Sequence, residues 1–162
     1  MIVNMLVDLT AAIFTTEDET AVTVAANVVL EHRRGVADAD VAWIRSSFGG
    51  SWPDEAAAGW NWLARRADGT LAGFCTYEQR EYRWWWLEAW LAQADVGIFG
   101  PMGIDPASRG KRIGCVLARR ALASMKARGL ERAVIPAVGP VAFYERCCGA
   151  TVTQRLDRPL SR

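Results

Sequence analysis

The sequence predicts a single α/β (α+β) domain over residues 1–162, in which short strands alternate with amphipathic helices. Three observations predict it. A length of 162 residues suffices for one good core and falls short of two ordinary domains. The stretch from Val96 to Gly129 reads as strand, turn, glycine-bearing loop and long helix. Residues Trp62 to Arg66 and Leu71 to Tyr77, joined through Ala67-Asp68-Gly69-Thr70, read as two strands around an Asp-Gly turn.

The elements follow in chain order. Residues 3–33 alternate apolar and polar clusters around the acidic knot Thr15-Thr16-Glu17-Asp18-Glu19-Thr20, and the simplest reading is a hairpin. Its valine-rich second arm, Val22 to Arg33, is expected to enter the sheet as a first strand, with His32 as a surface residue at its end. From Val36 to Phe48, the residues Ala37, Val41, Ile44 and Phe48 recur at steps of three or four, which describes a helix with Asp38 and Asp40 near its positive end. Phe48-Gly49-Gly50-Ser51-Trp52-Pro53 breaks that helix, and Pro53 opens a second short one reaching about Trp60.

After the Asp-Gly hairpin, Glu78 to Asp95 carries Arg80-Glu81-Tyr82-Arg83-Trp84-Trp85-Trp86-Leu87-Glu88-Ala89-Trp90-Leu91. Trp86, Leu87, Trp90 and Leu91 can share a helical face, whereas consecutive Trp84 and Trp85 cannot both face one core. An insertion folded back on the sheet, an aromatic pocket wall and a dimer patch all fit this segment. Val96, Ile98, Met102 and Ile104 then describe a mostly buried strand that ends at Asp105-Pro106. Over residues 113–128 a period of 3.6 puts Ile113, Leu117, Ala118, Ala121, Leu122 and Met125 on one half of a helix, opposite Arg119 and Lys126. Gly129 is a natural cap for it. A short buried strand from Leu130 to Ala137, a further helix and a final strand from Ala150 to Leu156 complete the order, with Arg158-Pro159 as a tail.

Composition excludes several classes. Lys plus Arg number 19 against 18 Asp plus Glu, so no overall field argues for nucleic acid or an anionic membrane. Hydrophobic content is 51% without a run of membrane-spanning length. Met1 to Met5 lacks a basic leader and Asp8 interrupts the first apolar run, so a cytoplasmic protein is expected. Cys75, Cys115, Cys147 and Cys148 form no paired C-x-x-C units and His32 is the single histidine, which argues against a metal site. Cys147-Cys148 reads as buried thiols, with a redox pair as the alternative.

The loop Ser108-Arg109-Gly110-Lys111-Arg112-Ile113-Gly114 places two glycines and three basic residues at a helix N-terminus. Free amides, partial positive charge and close backbone approach suit a phosphate or pyrophosphate there; a tight turn with a solvated basic cap is the competing reading. The spacing fits neither a Walker loop nor a G-x-G-x-x-G fingerprint. What the stretch resembles is the acyl-CoA loop of the GCN5-related N-acetyltransferase (GNAT) family, Arg/Gln-x-x-Gly-x-Gly/Ala, with Arg112 where that family usually has its middle glycine. Downstream, Gly139 to Ala150, with Phe143-Tyr144-Glu145, is similar to the family's next helix and its Phe-Tyr-Glu-x-x-Gly signature. Ala137 stands where the family often has an asparagine that touches the cofactor.

The resemblance covers roughly 125 residues from Val22 onward. It leaves 1–21 as an N-terminal extension, an extra strand or hairpin, and 78–95 as a tryptophan-rich insertion. It implies a mixed, mostly antiparallel central sheet flanked by helices, and acetyl transfer from acetyl-CoA to a primary amine by direct attack in a ternary complex. By resemblance, Arg109, Gly110, Lys111, Arg112, Ile113 and Gly114 would hold the pyrophosphate. Met102, Gly103 and Ile104 would hold the pantetheine and acetyl carbonyl through main-chain groups, and Tyr144 would protonate the departing thiolate. No metal is implied. Glu78, Glu81, Glu88 and Asp95 flank the expected acceptor side as candidate bases, with a water chain as the alternative. The acceptor is a small amine, an antibiotic amino group or a protein amino terminus, and a homodimer is possible. A binding or sensing module with reduced turnover and an interaction protein using the tryptophan insertion are the other two readings.

Overall fold

A computed structural model describes residues 2–11, 14, 18–79 and 87–156. Its elements run β1 (Ile2–Asp8), α1 (Glu19–Ala26), β2 (Val28–Arg34), α2 (Asp38–Ser47), α3 (Trp52–Ala58), β3 (Trp60–Arg66), β4 (Leu71–Tyr77), α4 (Glu88–Leu91), β5 (Val96–Ile104), α5 (Ile113–Ala127), β6 (Arg132–Val138), α6 (Val141–Cys148) and β7 (Thr151–Leu156), with a 3-10 turn at Pro106–Ser108. The seven strands form one sheet in the order β2-β3-β4-β5-β6-β1-β7. Every neighbouring pair is antiparallel except β5 and β6. Residues 80–86, which include Trp84, Trp85, Trp86 and the candidate base Glu81, lie outside the described residues, as do Glu17 of the acidic knot and the tail from Asp157.

The N-terminal hairpin is a correction. β1 and β2 lie far apart in the sheet: β1 is inserted between β6 and β7, and β2 is the opposite edge. The valine-rich arm also begins as a helix, α1, which ends at Asn27 in the left-handed region at φ 52°. Helical spacing explains the valines, since Val22 is buried and Val24 is 74% exposed. Valine favours strands only weakly when packing decides otherwise, and here α1 packs beside α5, where Arg120 pairs with Glu19.

Helix α5 anchors one face. Ile113, Leu117, Ala118, Ala121, Leu122 and Met125 are all buried in the main core with residues of β1, β4 and α6. Each large side chain so buried is worth about 1.5–3 kcal/mol. The other face carries α2 and α3, whose Ile44 and Ala56 pack with Leu63, Leu71 and Phe74, and α4, whose Leu91 packs with Val96, Ile98 and Val134. Arg65 ties α2 to the sheet by pairing with buried Asp40 at 3.0 Å and with Glu31 at 2.5 Å.

Buried Asn61 fixes α3. Its Nδ2 donates to the carbonyls of Gly35, Ala56 and Gly59 at 3.1, 2.8 and 3.2 Å, and its Oδ1 accepts from Thr76 Oγ1 at 2.7 Å. Those carbonyls close the end of α3, so the side chain substitutes for the missing next turn. Replacing Asn61→Ala would strand several buried polar groups, and urea unfolding should register a loss of about 3 kcal/mol.

Candidate functional site

Sheet register opens the site. The parallel pairing of β5 with β6 runs only through Val96 with Arg132, Gly97 with Ala133 and Ile98 with Val134. Beyond it each strand stays with its outer neighbour, β5 reaching Ile104 beside β4 and β6 reaching Val138 beside β1. A wedge-shaped gap therefore separates the second half of β5 from that of β6. β5 takes one extra residue between the pairs Tyr77 with Phe99 and Cys75 with Met102, a bulge at Gly100-Pro101.

Backbone direction follows from the same register. Asp105 N donates to Ala72 O at 2.9 Å, so Asp105 and Gly103 turn their main-chain groups toward β4. By alternation Met102 and Ile104 turn theirs into the gap. Arg109 Nε donates to Ile104 O at 3.4 Å, consistent with that direction.

The glycine loop closes the wide end. Among the described residues, no hydrogen bond within the chain uses an amide from Gly110 to Gly114. Gly110 has φ 78° with open space where a Cβ would stand. At Gly114 a Cβ would lie 3.4 Å from Ile104 Cγ1 and 3.5 Å from Phe143 Cζ, so β5, α5 and α6 meet at this residue. Arg109, Lys111 and Arg112 are exposed around these amides. The predicted binding residues Met102, Gly103 and Ile104 adjoin the second run Arg109, Gly110, Lys111, Arg112, Ile113 and Gly114 through Ile104, while Gly103, contrary to the expected main-chain role, turns its main-chain groups to β4.

Arg112 adopts the conformation that a glycine would. It caps α5 at φ 64° and ψ 4°, left-handed values that cost a non-glycine residue about 1 kcal/mol. Its guanidinium pairs with Asp18 at the start of α1. Ala137 is likewise at φ 52°, on the bulge where β6 slips against β1, and buried Asn4 Oδ1 accepts its amide at 3.0 Å.

Tyr144 packs from α6 against the underside of β5. Its ring meets Phe99 of β5 edge-on at 5.9 Å and Phe143 at 4.9 Å. Burial pushes its hydroxyl above the ordinary tyrosine range, with the nearby thiols of Cys75, Cys148 and Cys147 acting in the same direction, so it stays protonated at neutral pH. The helix departs from the family signature by one residue, because Arg146, Cys147 and Cys148 all intervene between Glu145 and Gly149. That extra residue turns Tyr144 about 100° around α6 relative to a tyrosine four residues before the glycine.

The proposed acceptor-side bases fare unevenly. Glu78 is paired with Arg128 at 2.5 Å and Asp95 with Arg132 at 2.8 Å, while Glu88 is exposed at the start of α4. The structure instead presents Glu55, which composition and motif reading missed. Glu55 is 6% exposed on α3, accepts from Ser51 Oγ and from Gln79 Nε2 at 3.3 Å, and has no basic partner among the described residues. Gln79 Nε2 also donates to Gly100 O at 2.5 Å, which fixes its amide orientation and leaves its buried Oε1 without a partner. Gly100 is two residues, about 7 Å, from Met102. Phe48 and Trp52, stacked at 5.1 Å, wall the same side; a Cβ on Gly103 would come 2.5 Å from Phe48 Cζ. Pro53-Asp54-Glu55 was visible in sequence only as a helix start.

Arg66 is a second missed residue. Its Nη2 donates to Asp105 Oδ2 at 2.5 Å and to buried Ser108 Oγ at 2.8 Å, and its Nη1 to Leu71 O at 2.8 Å. This one guanidinium fastens the turn between β5 and the loop to the β3–β4 hairpin, and it holds the Asp105 carboxyl below its usual range. No group of three or more metal-ligating side chains occurs among the described residues, and none of their helices is long and apolar enough to cross a membrane.

The mixed sheet is thus splayed between β5 and β6, with free amides and an arginine-rich helix start at the opening. The model of the acetyltransferase (GNAT) family matches residues 33–150, and the chain belongs to that family. Among solved structures it is similar to the glucosamine N-acetyltransferase region of a fungal multi-domain GH3 β-N-acetylglucosaminidase, at 17% identity and TM-score 0.72 over 94% of this chain and 20% of that one. It is also similar to a GNAT-family protein from Novosphingobium aromaticivorans, at 15% identity and TM-score 0.57 over 95% of this chain and 62% of that one. A GNAT-family acetyltransferase from Brucella melitensis, solved with acetyl-CoA, matches at 19% identity and TM-score 0.52 over 83% of this chain and 94% of the other. No curated protein matches the sequence.

Arg112 yields a stability prediction. An Arg112→Gly substitution relieves the left-handed strain and loses an exposed ion pair worth at most about 1 kcal/mol, so its unfolding free energy from urea titration should stay within about 1 kcal/mol of wild type. Arg112→Val keeps the strain without the pair and should lose more than about 1 kcal/mol.

Proposed function

We propose that this chain is an acetyl-CoA-dependent N-acetyltransferase that passes the acetyl group directly to a primary amine. The observation that carries the reading is the gap between β5 and β6, with the main-chain groups of Met102 and Ile104 along one wall and the amides of Gly110 to Gly114 at its mouth. Those amides, with Arg109 and Lys111, suit the pyrophosphate of the acyl donor, and the Met102 amide suits its thioester carbonyl.

Glu55 is the group best suited to receive the acceptor's ammonium proton. The free amine then forms the new C–N bond as the C–S bond breaks, and the thiolate takes a proton from Tyr144, which the amine nitrogen replaces as it becomes an amide. Phe48 and Trp52 suit a cationic acceptor, because aromatic faces and a carboxylate both attract an ammonium. Glucosamine, the acceptor named for the fungal relative, belongs in the first screen beside polyamines and peptide amino termini.

The decisive measurement is calorimetric titration with acetyl-CoA. Wild type should bind, and an Arg109→Ala, Lys111→Ala variant should bind about 1–3 kcal/mol more weakly; absence of binding by wild type would overturn the reading. With an acceptor in hand, thiol release should fall about 10²-fold in Glu55→Gln and in Tyr144→Phe while acetyl-CoA affinity holds. An unchanged rate in Tyr144→Phe, with binding intact, would favour the second reading, an acyl-CoA-binding module with reduced turnover, which the arginine at the left-handed position 112 supports.

A further inference from the structure

The four cysteines are chemically unequal. Cys75 is completely buried and Cys148 turns its thiol back to Tyr144 O at 3.2 Å, and burial raises both, Cys148 to about 11. Cys115 is different. It is the third residue of α5 and lines a shallow surface cleft with Asp18, Val22, Arg112, Val116 and Arg119.

Its partner comes from α6. Cys147 Sγ lies 3.6 Å from Cys115 O, which seats the second cysteine against the first. Arg119 Nε donates to Cys147 O at 2.9 Å, which holds the two helices together at this point. Cys147 is 6% exposed, so one thiol of the pair faces the cleft and the other is shielded. The neighbouring Cys147 thiol, with Arg119 and Arg112 on the same cleft, lowers Cys115 below the ordinary thiol range, and the Cys115 thiol together with burial raises Cys147. A thiolate in an open, electropositive position is the reactive form of cysteine.

We propose that Cys115 is a peroxide-reactive thiol and that Cys147 resolves it, forming a reversible disulfide between α5 and α6 beside the glycine loop. The Cys115 thiolate attacks a hydroperoxide, breaking its O–O bond and giving Cys115 sulfenic acid and an alcohol, or water from hydrogen peroxide. Cys147 then attacks the sulfenic sulfur, the S–S bond forms and water leaves, so two thiols are oxidised by one peroxide. The Cys147 sulfur already lies against residue 115, and the disulfide requires the two Cβ atoms to stand about 3.5–4.5 Å apart. The staple would fix the first turn of α5, where Gly114 touches Phe143, so it should alter binding at the loop. That consequence rests on the acetyl-CoA reading; the disulfide does not.

The test is oxidation of the native chain with hydrogen peroxide, followed by blocking with N-ethylmaleimide and peptide mapping by mass spectrometry. A Cys115–Cys147 cross-link that dithiothreitol reverses is the expected result. In Cys147→Ser, Cys115 should stop at sulfenic acid and be trapped by dimedone. A Cys147–Cys148 cross-link, or Cys115 reacting no faster than Cys75, would overturn the proposal, and the wild-type map decides even if the variant fails to fold. Acetyl-CoA titration of reduced and oxidised wild type should differ by about tenfold. Equal affinities would remove the link to the loop while leaving the thiol pair; no binding by the reduced form would count against the acetyltransferase reading alone.

Discussion

The β5–β6 pairing stops at Ile98 and Val134, and the rest of the molecule is arranged around that stop. Past it, two strands in the middle of a sheet expose facing edges, a costly arrangement for backbone groups unless something else pairs with them. The halves are held apart because each strand is committed to its outer neighbour, β5 to β4 and β6 to β1. The bulge at Gly100-Pro101 shifts β5 by one residue, so its main-chain groups beyond the bulge alternate anew and Met102 and Ile104 face the gap. β1, supplied from the N-terminus, is what keeps β6 occupied on its far side. The N-terminal segment is therefore part of the site's frame.

The loop at the gap's mouth combines strain with charge. Arg112 in a left-handed conformation brings the first amides of α5 around, and Arg66 anchors the preceding turn through Asp105 and Ser108. Neither device works by itself. Without the Arg66 anchor the turn would keep only the Asp105 amide to Ala72 O as its tie to the β3–β4 hairpin, and without a left-handed residue at 112 the amides would follow the strand instead of curling toward a shared point. Arg109 and Lys111 stand exposed beside the amides and add positive charge there, whereas Arg112 is tied to Asp18 and its left-handed backbone sets the shape of the loop.

How much of this is legible in sequence depends on whether the signal is local. The core face of α5 and the Asp-Gly hairpin rest on spacing within one element. The hairpin turn is closed by Asp68 Oδ1, which accepts from Thr70 N and Thr70 Oγ1 at 3.0 and 2.7 Å. The loop was readable because its glycines and basic residues are consecutive. The N-terminus was misread because valines at 22, 24, 28 and 29 satisfy a strand and a helix-then-strand equally well, and only packing against α5 decides. Glu55 and Gln79 lie 24 positions apart and meet through tertiary structure, so neither carries a motif. The same holds for Cys115 and Cys147, whose contact spans 32 positions, while the adjacent Cys147 and Cys148 point to different partners.

Glu55 shows why function concentrates in what the fold leaves unbalanced. A carboxylate 6% exposed and held only by a hydroxyl and an amide is an uncomfortable group for stability, since its charge has no cation to offset desolvation. Elsewhere this chain pairs its buried acid, as with Asp40 and Arg65. The exception therefore calls for a cation from outside, and the adjacent aromatic pair of Phe48 and Trp52 restricts where it could enter. On the acetyltransferase reading proposed above, an acceptor ammonium would meet that need by passing its proton to Glu55 as the amine becomes a nucleophile. On that reading the group the fold leaves without a cation is the one that receives the amine's proton.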